Sequence, residues 1–144
     1  MSLKVSQAVY VACFVLAAAW ALLSECGEVP TNYMRPAPRT VYYLDLLSVV
    51  WTLGGTYVAL RFFAFKRLAR TLRESASVAA WQFYVGATLC RSGLLGLALW
   101  YNTIYYYASD YTTTPGYCLL ICLVGLLFCW PSAGEFERLR ARKA

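Results

Sequence analysis

Four long apolar stretches take up most of this chain, at about residues 5–23, 41–65, 78–107 and 116–132. The connections between them are short, and that combination limits the fold more than any other feature. An α-helix needs roughly 20 residues to cross roughly 30 Å of hydrocarbon. The first three stretches are long enough. The fourth, Gly116 to Trp130, is short, and Pro131 and Ser132 are read as its extension. A soluble core of this size has no room for so much apolar surface: 60% of the residues are apolar and 14% charged, against about 45–50% and about 25% in ordinary globular chains. A lipid-facing surface removes the need to hide it. Lipid offers no partner to a free backbone N–H or C=O, so the stretches are expected to be helices. The expected fold is all-α: one integral membrane domain over residues 1–144, a four-helix bundle running up-down-up-down. Short connections make sequential helices antiparallel neighbours.

The basic residues border the apolar spans instead of forming one patch, which argues against nucleic acid as a partner and for membrane orientation. With the N-terminus placed inside, the inner side holds Lys4, Arg61, Lys66, Arg67, Arg70, Arg73, Arg138, Arg140, Arg142 and Lys143, ten of the thirteen basic residues. The outer side holds Arg35 and Arg39. This bias predicts both termini inside. Residues 24–40 then form an outer loop, residues 66–77 a basic inner loop, and residues 133–144 a charged inner tail. The first span resembles a signal peptide in having Lys4 before an apolar run. The run is long for one, and Glu25 before Cys26 does not suit a lipoprotein cleavage site, so it is taken as the first helix. Nine of the twelve tyrosines gather near the outer boundary, as an aromatic belt does.

Chemistry is sparse. The absence of histidine excludes His-ligated haem, His-rich zinc sites and Ser-His or Cys-His catalysis. No catalytic motif and no cofactor site is legible. Arg91 falls inside the third span, where a charge costs at least about 2.5–3.5 kcal/mol and by default faces the bundle interior. Asp45 is its expected partner, with Glu25 and Asn102 as others. Two stripes at helical spacing are expected to face each other: Asp45, Ser48, Thr52, Gly55 and Ala59 on the second span, and Tyr84, Thr88, Arg91, Leu95, Ala98 and Asn102 on the third. A polar site is therefore expected around Arg91, Asp45, Asn102, Thr88, Thr52 and Ser48. The plainer reading is helix packing and a structural ion pair.

The inner rim of Lys66, Arg67, Arg70, Arg73, Arg138, Arg140, Arg142 and Lys143 suits anionic lipid or a protein partner, and serves topology in any case. Cys118, Cys122 and Cys129 make a stripe on the fourth span. They read as packing residues, and a Cys26–Cys118 disulfide stays open on sequence alone.

The partners expected are the lipid bilayer and a protein, either another chain or a second copy. The favoured function is a non-enzymatic accessory, scaffold or assembly subunit in a membrane, with a bacterial inner membrane as the expected location. The alternative is a small transporter or channel using the seam around Arg91 and Asp45. A lipid-modifying enzyme is the weakest reading, because its acid–base chemistry would fall to a carboxylate, Cys or Tyr.

Overall fold

The computed structural model describes residues 3–28, 37–64, 72 and 77–141. The described residues are all-helical and contain no strand. Five helices follow in order: α1 (Leu3–Glu25), α2 (Pro38–Arg61), α3 (Ser77–Ala108), α4 (Thr113–Phe128) and α5 (Ala133–Ala141). A 3-10 turn, Phe62–Ala64, continues from α2. Helices α1, α2 and α3 are each long and apolar enough to cross a membrane, and α4 passes the same test only together with α5, from which it is bent by 75°. Three to four such helices make this a multi-pass membrane protein by length and composition.

The helix ends follow from local chemistry. Gly27 takes φ +79° just past α1, and Glu28 N–H reaches back to Leu23 O at 3.1 Å. A left-handed residue after a helix allows this closure, and glycine adopts it without strain. Pro38 opens α2, where its missing N–H costs nothing. At the far end of α3, Asp110 and Tyr111 both take positive φ, 60° and 59°. Tyr111 N–H closes onto Tyr106 O at 3.0 Å.

Two expectations about the fourth span are corrected. The fourth span does not start at Gly116. Helix α4 begins at Thr113 and takes Pro115 into its first turn, where backbone N–H groups have no intrahelical acceptor in any case. Nor do Pro131 and Ser132 extend it. The helix ends at Phe128, with Cys129 N–H tightened onto Leu126 O at 2.8 Å. Pro131 cannot continue a helix, and Ser132 starts a new one by accepting a hydrogen bond from Glu135 N–H at 3.2 Å.

Helix α3 is the hub. Along α1 and α3 the contact numbers rise together: Ser6 meets Thr88, and Glu25 meets Tyr107. Along α2 and α3 they run oppositely, from Asp45 with Tyr105 to Phe63 with Tyr84. Helix α4 also opposes α3, with Gly116 against Tyr106 and Gly125 against Leu95. The main packing of α1 is on α3 and that of α2 on α3 and α4, so the expectation that α1 and α2 pack as sequential neighbours is not met. The stripes expected on sequence are buried: Ser48, Thr52, Gly55 and Ala59 on α2, and Tyr84, Thr88, Arg91, Leu95, Ala98 and Asn102 on α3. Asp45 is half-buried. Large apolar side chains such as Leu16, Val50, Leu53, Leu127 and Phe128 face outward, as lipid-facing residues do.

Small residues set the helix spacing, because lipid supplies no hydrophobic drive between helices. A Cβ placed on Gly96 would lie 2.6 Å from Cys13 Sγ and 3.1 Å from its Cβ. Gly96→Ala is therefore expected to cost about 1–3 kcal/mol as an overpacked contact. Cys13→Ala in the same chain should recover most of that loss in detergent melts. Failure of the rescue would mean that α1 does not approach α3 at this point.

Candidate functional site

Arg91 and Glu135 form an ion pair within the described residues. The Arg91 side chain is 4% exposed and that of Glu135 29%. Arg91 Nη1 donates to Glu135 Oε1 at 3.0 Å and Nη2 to Oε2 at 3.1 Å, the forked geometry that a planar guanidinium favours. Nη2 also donates to Cys129 O at 3.1 Å. That carbonyl lies free at the end of α4, so the bond caps a helix as well as neutralising a charge. Nε is buried and has no hydrogen-bond partner. The Tyr84 hydroxyl lies 2.8 Å from Glu135 Oε2 and 2.9 Å from Ser132 O, sharing one proton between them. Phe63 places its ring 5.1 Å from the guanidinium carbon, close enough for a cation–π contribution. Phe136, next to Glu135, packs edge-on to Trp81 at 4.9 Å and against Tyr84 at 5.4 Å. One short helix thus anchors an aromatic residue and a carboxylate side by side.

This corrects the expected partner. Asp45 does not meet Arg91; it accepts from Tyr105 Oη at 2.8 Å. Glu25 accepts from Tyr107 Oη at 3.1 Å. Asn102 belongs to a separate cluster: its amide donates to Thr52 Oγ1 at 2.9 Å and to Ala98 O at 2.8 Å, and Ser48 donates to its Oδ1. Cys122 Sγ closes this cluster, 3.8 Å from Thr52 Oγ1. Thr88 forms a third group, accepting from Ser6 and turning its own hydroxyl to Tyr84 O and Val85 O. The six residues expected to form one polar site are therefore divided among separate, internally bonded groups. Ser48, Thr52, Thr88 and Asn102 are each 0% exposed and Arg91 3%.

Glu135 is the residue that the sequence reading missed. A signal was present. Ser132 followed three residues later by Glu135 is a capping-box pattern, and it marks a new helix start beyond Pro131. Of the basic rim, Lys66, Arg67, Arg70, Arg73, Arg142 and Lys143 lie outside the described residues, as does the side chain of Arg140. Arg138 is exposed on α5. All six cysteines are free, so Cys26 and Cys118 are not joined.

Tyrosines gather at the other end of the molecule. Tyr106, Tyr107 and Tyr111 stand mutually edge-to-face, with centroids 5.3 to 5.6 Å apart, a favourable aromatic arrangement. Burial first, then the charge of Glu25 and the neighbours Tyr106 and Asp110, push the Tyr111 hydroxyl above its usual pKa. Compared with known proteins, the chain matches no family model, no curated protein and no solved structure.

Proposed function

We propose that this protein is a non-enzymatic accessory, scaffold or assembly subunit of a membrane, acting through its helix faces and rims. The carrying observation is the closure of its interior. Arg91 is withdrawn from solvent and held by the forked Glu135 contact, and the Asn102 cluster satisfies its own hydrogen bonds. A transport pathway needs polar groups that a moving solute reaches, and these side chains already hold one another. The transporter reading around Arg91 and Asp45 has correspondingly less support.

The arrangement in the membrane that we favour is four crossings, up-down-up-down, with both termini on the cytoplasmic side. The alternating senses of the contacts along α3 support it, as does the ten-to-two bias of basic residues. Lys4 and Arg61 then mark an inner boundary near Val85, because Ser6 meets Thr88 and Phe63 meets Tyr84. Arg91 lies six residues, or about 9 Å, inside that boundary. At 16 residues α4 spans only about 24 Å. Its shortfall is made good by the bend and by α5, which turns aside at the inner face. A bacterial inner membrane is the setting we favour.

Purification of the tagged full chain in mild detergent, with mass measurement of the intact complex, tests the reading. A stoichiometric protein partner or a defined oligomer is expected. Monomer alone, at every detergent and concentration tried, would count decisively against it.

A further inference from the structure

An apolar groove of about 330 Å³ runs between α2 and α4. Thr56 and Leu60 form its α2 wall, and Ile121, Val124 and Phe128 its α4 wall. Gly125 lies between them. A Cβ there would sit 3.1 Å from Thr56 Cγ2, so the two helices touch at this point. The Thr56 hydroxyl is buried, and the groove presents no polar atom to an occupant. What fits it is hydrocarbon.

Three observations choose among apolar occupants. The knobs that fill such a groove stand on the same face. Tyr117, Ile121, Val124 and Phe128 recur at steps of four, three and four along α4, the spacing by which parallel helices interlock. A patch that holds both groove and knobs is self-complementary, as a twofold interface requires. The area is also sufficient. Leu60, Leu120, Ile121, Val124, Leu127 and Phe128 are 37 to 75% exposed. At about 200 Å² for a whole large apolar side chain, they present roughly 700 Å². A stable dimer buries about 800 Å² per partner. Finally, α4 contains no charged residue, in a chain of formal charge +6. Two copies that meet on α4 bring no like charges together within that helix.

We propose that this face joins two copies of the chain, with α4 of each lying in the α2–α4 groove of the other. The inference rests on the assembly reading above and names its partner. Both copies cross the membrane in the same sense, so the twofold axis runs along the membrane normal. Val124, at the middle of the patch, lies closest to that axis and meets its own equivalent.

The test uses the full chain in native membranes, with the two exposed cysteines removed as Cys26→Ser and Cys90→Ala. One cysteine is then added, as Val124→Cys or, on the exposed faces of α1 and α3, as Val15→Cys or Leu97→Cys. Oxidation by copper phenanthroline is expected to give covalent dimer from Val124→Cys and monomer from the other two. Val124→Trp, which overfills the seam, should weaken pairing about tenfold, the scale of an overpacked contact. Single-molecule photobleaching of labelled chains diluted into liposomes reads that loss. Val124 is 53% exposed, so a separated copy has room for the indole. Melting curves identify a misfolded variant, and the cross-linking decides in that case. Covalent dimer from Val15→Cys or Leu97→Cys but not from Val124→Cys would overturn the proposal and leave the assembly reading standing. A complex of one copy with a different protein would do the same, as would pairing untouched in folded Val124→Trp. Monomer at all three positions and in the intact-mass measurement would overturn both.

Discussion

Glu135→Ala is expected to destabilise the protein by about 3–5 kcal/mol, the usual loss when one partner of a buried ion pair is removed. The guanidinium of Arg91, 3% exposed in the intact chain, would keep Cys129 O and the Phe63 ring as its company. Neither carries a full negative charge. Arg91→Ala should cost less, since the Glu135 side chain is 29% exposed and would find water. The asymmetry is informative, because a pair exposed equally at both partners would lose about the same from either side. Arg91→Met with Glu135→Leu, which replaces the pair by apolar volume, is expected to return most of the stability. Thermal or denaturant unfolding in a fixed detergent measures all four chains. A double variant no better than Glu135→Ala would sink the argument that the stranded charge is the cause. If the double variant folds and keeps its partner or oligomeric state, the pair serves structure alone.

The second large effect is at Asn102. Its amide joins α2 to α3 through Ser48 and Thr52 and lies beside Cys122 of α4. Asn102→Ala takes the amide from Ser48 and Thr52, leaving Thr52 only the long Cys122 contact, and opens a void at a 0% exposed position. Individual hydrogen bonds between membrane helices average only about 0.6 kcal/mol. Two of them together with the void are expected to cost about 2–3 kcal/mol. Ser48→Ala with Thr52→Val removes the hydroxyls from the other side. In that background, Asn102→Ala should cost visibly less. Strict additivity between the two sides, measured in a double-mutant cycle, would show that the cluster is not coupled.

Helices and their buried faces were legible because membranes reduce the problem to span length and a 3.6-residue period. The Ser48–Thr52–Gly55–Ala59 stripe and the Thr88–Arg91–Leu95–Ala98–Asn102 stripe are inward in the folded chain, as their spacing implies. Spacing along one helix says which residues share a face, but it carries no information about height against a neighbour. For that reason spacing alone pairs Asp45 with Arg91, although the register of α2 on α3 puts Asp45 at Tyr105. Glu135 was hidden for a different reason. It sits in a polar segment that composition assigns to water, and only the turn at Cys129–Ser132 returns it to the bundle. The capping pattern at Ser132 marks a helix start but gives no direction for that helix. The packing of Phe136 on Trp81 and Tyr84 supplies the direction.

The separation of 44 positions between Arg91 and Glu135 has a consequence for how the protein is made. The chain emerges in order, and α3 reaches the membrane while its counter-ion is still to be synthesised. At about 5–20 residues per second, the gap lasts roughly 2–9 s. During that time the guanidinium has no carboxylate from α5, and α4 has not yet delivered the Cys129 carbonyl. A nascent third span must therefore wait in a wet or headgroup-rich setting, or be sheltered by the insertion machinery. Commitment of α3 to its final depth then waits on the arrival of α5.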